Sequence, residues 1–324
     1  MTLIGAALRT RGTAVAGLVV LVLTAGCACG GPGHPSGGAR PTAAAPKVAA
    51  IPRLVSAADK QLPVQGFLLT NAQQDRLDLA KAVLVQRCMA RFGFAYRAPV
   101  VPQQFRPRTL TQLRYGITDA AAAARHGYTP AGAGRQQPHR VPAESLPAQE
   151  TLVLNGSNDP HVKPGSTSAH SGTRVAGRTV PAGGCRGEAL RGLRSDNRQA
   201  GGDAPLVDRI NVETFQASRR DDRVLRAYGR WSGCMKRHGY RYASPDEAAG
   251  DPAWRTATAS ARERSVAATD ARCKAQTNLV GVWYAVELAY QLRVVKQHAD
   301  ELARVRADAL LRQRLAAAVL KERP

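Results

Sequence analysis

Cysteine is the residue type through which this chain could do the most chemistry, and two of its six cysteines open a repeated stretch. Cys88-Met89-Ala90-Arg91-Phe92-Gly93-Phe94-Ala95-Tyr96, followed by Pro99, recurs as Cys234-Met235-Lys236-Arg237-His238-Gly239-Tyr240-Arg241-Tyr242, with Pro245 at the same offset. A thiol in such a motif can attack a substrate, bind a metal or close a disulfide. Attack requires a depressed pKa. Both stretches read as helix ends, where the negative pole of the helix dipole opposes thiolate formation while neighbouring arginines push the other way. There is no Cys-x-x-Cys, and the seven histidines are scattered without ligand spacing. Structural disulfides are the favoured chemistry over redox catalysis or zinc.

Other catalytic signatures are missing. No Gly-x-Ser-x-Gly, His-Glu-x-x-His or phosphate-cradling glycine loop occurs, and those motifs carry much of hydrolase, metalloprotease and nucleotide chemistry. Met89, Met235, Trp231 and Trp283 suit a packed core, and His238 suits a capped, satisfied histidine at the end of an apolar stripe. Asp270, one turn before Cys273, is placed to bind an arginine in the core. No second carboxylate stands at a defined spacing from it. The sequence therefore assigns no catalytic residue, no cofactor site and no metal site.

The N-terminus supplies an address. Arg9 and Arg11 precede an apolar run from about Gly12 to Ala25, the charged and hydrophobic regions of an export signal. It ends in Leu23-Thr24-Ala25-Gly26-Cys27, which resembles a bacterial lipobox, where the cysteine thiol receives a diacylglycerol before cleavage. Thr24 departs from the leucine usual at that position. An ordinary cleaved signal and an uncleaved anchor are the competing readings, the second weakened because a span needs about 20 apolar residues. From Ala28 to about Ala50 the chain is Gly, Pro, Ala and Ser, a composition unable to bury enough surface to offset ordering. The expectation is a signal peptide over 1–26, lipid on Cys27, and a flexible tether over 27–50 on the outer face of a cell membrane.

Charge points outward too. The formal charge is +22 and the pI near 10.7. Arg outnumbers Lys by 38 to 8, a bias that GC-rich coding also produces, but coding does not explain the shortage of acids. A preference for polyanions or an anionic surface follows. A 44% apolar content allows a packed core, and aromatics at only 5% favour helices packed through small residues.

An exported chain tends to pair its buried thiols. Four cysteines, Cys88, Cys185, Cys234 and Cys273, lie in the expected folded part and allow three connectivities. The repeat favours each motif cysteine pairing with the next one downstream, Cys88 with Cys185 and Cys234 with Cys273, so that each bond closes one unit. The longer loop would contribute on the order of 4 kcal/mol. Cys29 is left odd beside the lipid site.

The elements that must position these cysteines are mainly helical. Thr70 with Gln73 makes a capping box, and Leu77, Ala80, Leu84 and Cys88 form one face of a helix stopped by Gly93. Residues 100–184 read as a long loop-rich insertion. In it, Asp119 caps an alanine-rich turn, and Thr151–Leu154 and Arg174–Val180 are apolar enough for short strands, with room for one hairpin. A short helix follows Cys185, and Arg194–Gly202 is a linker. Asp203 and Pro205 open the next helix. Val224, Tyr228, Trp231, Met235 and His238 make the clearest stripe of the chain. Ser244 with Glu247 and Ser260 with Glu263 cap two more helices. From Leu279 to about Lys321 a long helical pattern carries a heptad-like seam through Leu288, Leu292, Val295, Ala299 and Leu302, with a break expected near Gly281 or a protruding end near Leu315. The expected organisation is two disulfide-braced helical units, 51–200 and 201–324.

With these residues in view, the chain resembles a recurring type of uncharacterised secreted lipoprotein from Streptomyces and related actinobacteria. The matching pieces are Leu62-Pro63, both Cys-Met motifs, Tyr115-Gly116, Gly127-Tyr128, Pro181–Cys185, Trp231, and Asp270 through Cys273-Lys274 into Thr277-Asn278-Leu279. The resemblance implies an exported, membrane-anchored protein and carries no catalytic residue to transfer. The expected function is a non-catalytic binding or scaffolding module whose basic surface meets anionic wall polymers or phospholipid head groups. The alternative is a wall-processing enzyme with its site between the two units. Nucleic acid ranks last as a partner, because export removes the chain from the genome.

Overall fold

A computed structural model describes residues 44–97, 107, 109–130, 146–166, 168–169, 171–194 and 204–322. The expected signal peptide, Cys27, Cys29, residues 27–43 of the tether, the linker after Arg194 and parts of the insertion lie outside the described residues; the end of the expected tether is not free, since the Pro46 carbonyl accepts from Arg223 Nη1 at 3.0 Å and Val48 packs against the cluster around Trp231. Within them the regular structure is ten α-helices and one two-stranded hairpin, so the fold is mainly α.

The chain enters through a 3-10 turn, Pro63–Phe67, and then α1, Asn71–Arg91. Thr70 and Gln73 form the reciprocal capping box: Gln73 N donates to Thr70 Oγ1 at 3.2 Å and Thr70 N to Gln73 Oε1 at 2.9 Å. Asp119 Oδ1 accepts from Ala121 and Ala122 amides at 2.9 Å and starts α2, Ala120–His126. The run Thr151–Leu154, expected as a strand, lies instead in α3, Ala148–Asn155. Four apolar residues fit either state; Pro147 at the N-cap and left-handed Gly156 at the C-cap frame a helix, which turns Val153 and Leu154 inward. The hairpin forms as expected, with β1 (Arg174–Val175) antiparallel to β2 (Arg178–Thr179). Cys185 then lies at the start of α4, Gly184–Gly192.

The second half holds α5 (Pro205–Arg219), α6 (Asp222–Arg237), α7 (Pro245–Ala249), α8 (Ala261–Thr277), α9 (Leu279–Gln297) and α10 (Ala299–Lys321). The long C-terminal helix is α10, and the break before it falls at His298, not Gly281. Gly281 sits inside α9 because the N-terminal segment crosses there: a Cβ at that position would stand 2.0 Å from the carbonyl oxygen of Pro52. The seam does not make a coiled coil, since Leu292 is 55% exposed while Leu302 is buried. Nor does the end near Leu315 protrude; it packs with Leu77 and Ala80 of α1 and Leu193.

Both disulfides form in the pairing that the repeat favours, Cys88–Cys185 and Cys234–Cys273. Each lies in its own apolar cluster. The first joins α1 and α4, with Met89, Phe92, Val153 and Leu154 around it. The second joins α6 and α8 beside Trp231, Met235, Val266 and Trp283. Packing crosses between the regions 51–200 and 201–324: α10 lies on α1 and α2 lies on α8, so residues 45–324 cluster as one unit.

Candidate anion-binding face

Helix α6 has two unlike faces. Val224, Ala227, Tyr228, Trp231, Cys234 and Met235 are buried, as the apolar stripe predicts. On the other side Arg226, Arg230 and Arg237 are exposed, spaced four and seven residues apart and therefore along one line of the helix. Among the described residues none of the three has a carboxylate partner. Gly229 and Gly233 lie beside that line and leave the helix backbone bare; a Cβ on Gly229 would meet nothing within 4 Å, and one on Gly233 only Arg237 Nη1 at 4.0 Å. Exposed Lys236 and Arg241 extend the positive charge around the helix end.

The apolar side holds this face rigid. Trp231 Nε1 donates to Asp270 Oδ1 at 2.9 Å, and Lys274 Nζ donates to Asp270 Oδ2 at 2.9 Å and to the Ile117 carbonyl at 3.1 Å. Asp270 thus binds a lysine one turn along its own helix, not the arginine expected. Burial pushes its carboxyl up, and the Lys274 ammonium pulls it back down. A second buried acid has the arginine. Glu287 on α9 accepts from Arg114 Nε at 2.6 Å and from the Tyr115 hydroxyl at 3.0 Å, and burial raises it against the pull of that guanidinium. Around it Trp283 stacks on Phe215 at 5.4 Å between centroids and meets Tyr115 at 5.2 Å. The same burial drives the Tyr115 hydroxyl well above its ordinary value. Both carboxylates are 0% exposed and fully engaged, which suits bracing rather than proton transfer to a substrate.

A shallow groove of about 610 Å³ runs between the N-terminal segment at Val55, the start of α2 and α8, lined by Val55, Ser56, Asp119, Ala121, Ala271 and Arg272, among others. Its charged side chains are committed: Asp119 caps α2, and Arg272 donates to Thr269 Oγ1 at 3.0 Å.

Of the residues singled out from sequence, the four folded cysteines are all in disulfides, and Cys27 lies outside the described residues. His238 does lie at the end of the apolar stripe. It is the exposed C-cap of α6, with a ring nitrogen within 4.8 Å of the sulfurs of both Cys234 and Cys273. The line of Arg226, Arg230 and Arg237 matches no motif, and its only sequence signal is helical spacing on the side opposite the apolar stripe. No helix among the described residues is long and apolar enough to cross a membrane. No family model, curated protein or solved structure matches the chain.

Proposed function

We propose that this is an exported, lipid-anchored surface protein that binds without catalysis, gripping a phosphate-bearing anionic polymer of the cell wall along α6. The observation that carries the reading is the unpaired line of Arg226, Arg230 and Arg237. At a rise of about 1.5 Å per residue these side chains stand roughly 6 and 10 Å apart, a ladder suited to successive charges on one chain. Guanidinium forks grip phosphate oxygens through paired hydrogen bonds, and bare Gly229 and Gly233 let a polymer lie close to the helix.

The tether favours the wall over head groups. In this proposal the Gly-, Pro- and Ala-rich residues 27–43 act as a flexible tether, with a random-coil span of about 23 Å that lets the folded unit stand away from the bilayer. Lipidation of Cys27 and export are part of the same proposal.

The test is sedimentation of the protein with purified cell walls across a salt series, beside walls stripped of phosphate polymers and vesicles of anionic phospholipid. Binding to intact walls should fall steeply with salt. It should also drop at least tenfold in R226E/R230E/R237E, with the thermal midpoint of that variant unchanged. Retention at high salt, or full binding by the triple variant, would sink the reading. Preference for vesicles would move the site to head groups, and turnover of wall fragments would favour the enzyme alternative.

A further inference from the structure

We infer that Cys234, Cys273 and His238 form a metal site that opens when the second disulfide is reduced, taking one borderline-soft divalent cation of the zinc type. The three ligand atoms already lie within 4.8 Å of one another. Metal–sulfur and metal–nitrogen bonds of about 2.3 and 2.0 Å give ligand–ligand edges of roughly 3.5–4 Å, so small side-chain shifts complete the set. Gln276 Oε1 lies 3.2 Å from Cys234 Sγ and can supply a fourth ligand, as can water. Two helix ends converge here. Cys234 and Cys273 each lie in the last turns of α6 and α8, whose negative dipole ends favour a cation and offset nearby Lys236 and Arg237.

The chemistry balances with a small-molecule dithiol as reductant. Its two thiols become a disulfide, the Cys234–Cys273 bond breaks, and each cysteine sulfur takes a proton. The cation then displaces those two protons to solvent and undergoes no redox change.

The first disulfide is an internal control. Phe92 stands at the position of His238 in that copy, and Glu188, whose Oε2 lies 3.8 Å from Cys88 Sγ, is held by Arg91.

The experiment titrates Co2+ into the oxidised and the dithiol-reduced chain and reads thiolate-to-cobalt charge-transfer absorption. The reduced chain should bind one equivalent and the oxidised chain none. His238→Phe, which keeps both disulfides and installs the residue of the first copy, should weaken Co2+ at least tenfold after reduction. Zn2+ should slow alkylation of Cys234 and Cys273 but not of Cys88 and Cys185. The inference falls if reduction produces no charge-transfer band, if His238→Phe binds with wild-type affinity, or if both cysteine pairs are protected alike.

Discussion

The two Cys-Met stretches share one backbone device and differ in everything around it. In the first, Phe92 N donates to the Met89 carbonyl, Gly93 N to Ala90, and Phe94 N to Met89. In the second, His238 N donates to Met235, Gly239 N to Lys236, and Tyr240 N to Met235. The glycines have φ of 85° and 84°. Each motif therefore stops a helix and anchors a disulfide one turn earlier. The surroundings diverge: Cys88 neighbours an exposed Arg91–Glu188 ion pair, whereas Cys234 sits one turn from Trp231 and the fully buried Asp270–Lys274 pair. The repeat specifies a joint, and specialisation lies in the side chains packed against it.

The largest effect should come from cutting each joint. The disulfides close separations of 97 and 39 residues. Loop entropy alone ranks them at about 4.7 and 3.9 kcal/mol. Urea unfolding of C88A/C185A and C234A/C273A should show that order. The reverse order would mean that packing around Trp231 outweighs chain entropy and would make the second joint the principal one.

The ion pairs beside the joints should differ more sharply. Lys274→Met leaves Asp270 buried without its cation and should cost about 3–5 kcal/mol. Replacing both, as D270L/K274M, should cost less than K274M alone, because no uncompensated charge remains. At the first joint the partners Arg91 and Glu188 have side chains 45% and 39% exposed, and Glu188→Gln should cost under about 1 kcal/mol. Equal costs at the two joints would erase the distinction drawn between them.

What could be read from sequence follows the range of the interaction. The capping box at Thr70, the Ser260 N-cap, the glycine stops and the α6 stripe are local patterns, and they occur where expected, although Glu263 accepts from the Tyr128 amide and does not complete the box at Ser260. The disulfide pairing is long-range yet legible, because the repeated Cys-Met motif makes the two cysteine pairs analogous. Thr151–Leu154 failed as a strand because a four-residue apolar run has no period of its own. Gly281 looked like a helix break, but its reason is the passage of Pro52, 229 residues earlier in sequence, over α9. The Arg114–Glu287 pair spans 173 positions with no local sign. The Asp270–Lys274 pair was within reach, since acid and base four apart on a helix face each other.

The shared cap gives a smaller and symmetrical test. A Cβ at Gly93 or Gly239 would meet no atom within 4 Å, so alanine there strains only the backbone. Gly93→Ala and Gly239→Ala should each cost about 1–2 kcal/mol. Their thermal unfolding penalties should agree within about 0.5 kcal/mol. A larger gap would show that the aromatic after the glycine, Phe94 or Tyr240, contributes unequally.

The smallest effect separates the starts of the same two helices. Helix α1 begins at Thr70, which does not titrate in the acid range, whereas α6 begins at Asp221, whose carboxylate accepts from the Arg223 amide at 2.9 Å and from its guanidinium at 2.7 and 2.8 Å. Hydrogen bonds from Arg223 hold Asp221 below its ordinary 3.8, against the opposing effect of burial. A carboxyl lowered by folding adds stability above its unfolded pKa, and that stability drains away as pH falls through the lower folded value. Asp270 and Glu287, raised by burial, act with the opposite sign, so only the difference between variant and parent isolates Asp221. Asp221→Asn keeps a good cap and removes the charge. Its stability deficit should therefore be present at about pH 6 and shrink steadily toward pH 2. Thr70→Ala should instead lose about 1 kcal/mol evenly across that range. A deficit for Asp221→Asn that stays constant with pH would mean that the arginine contact contributes no titrating stability, and that the two helices are started alike.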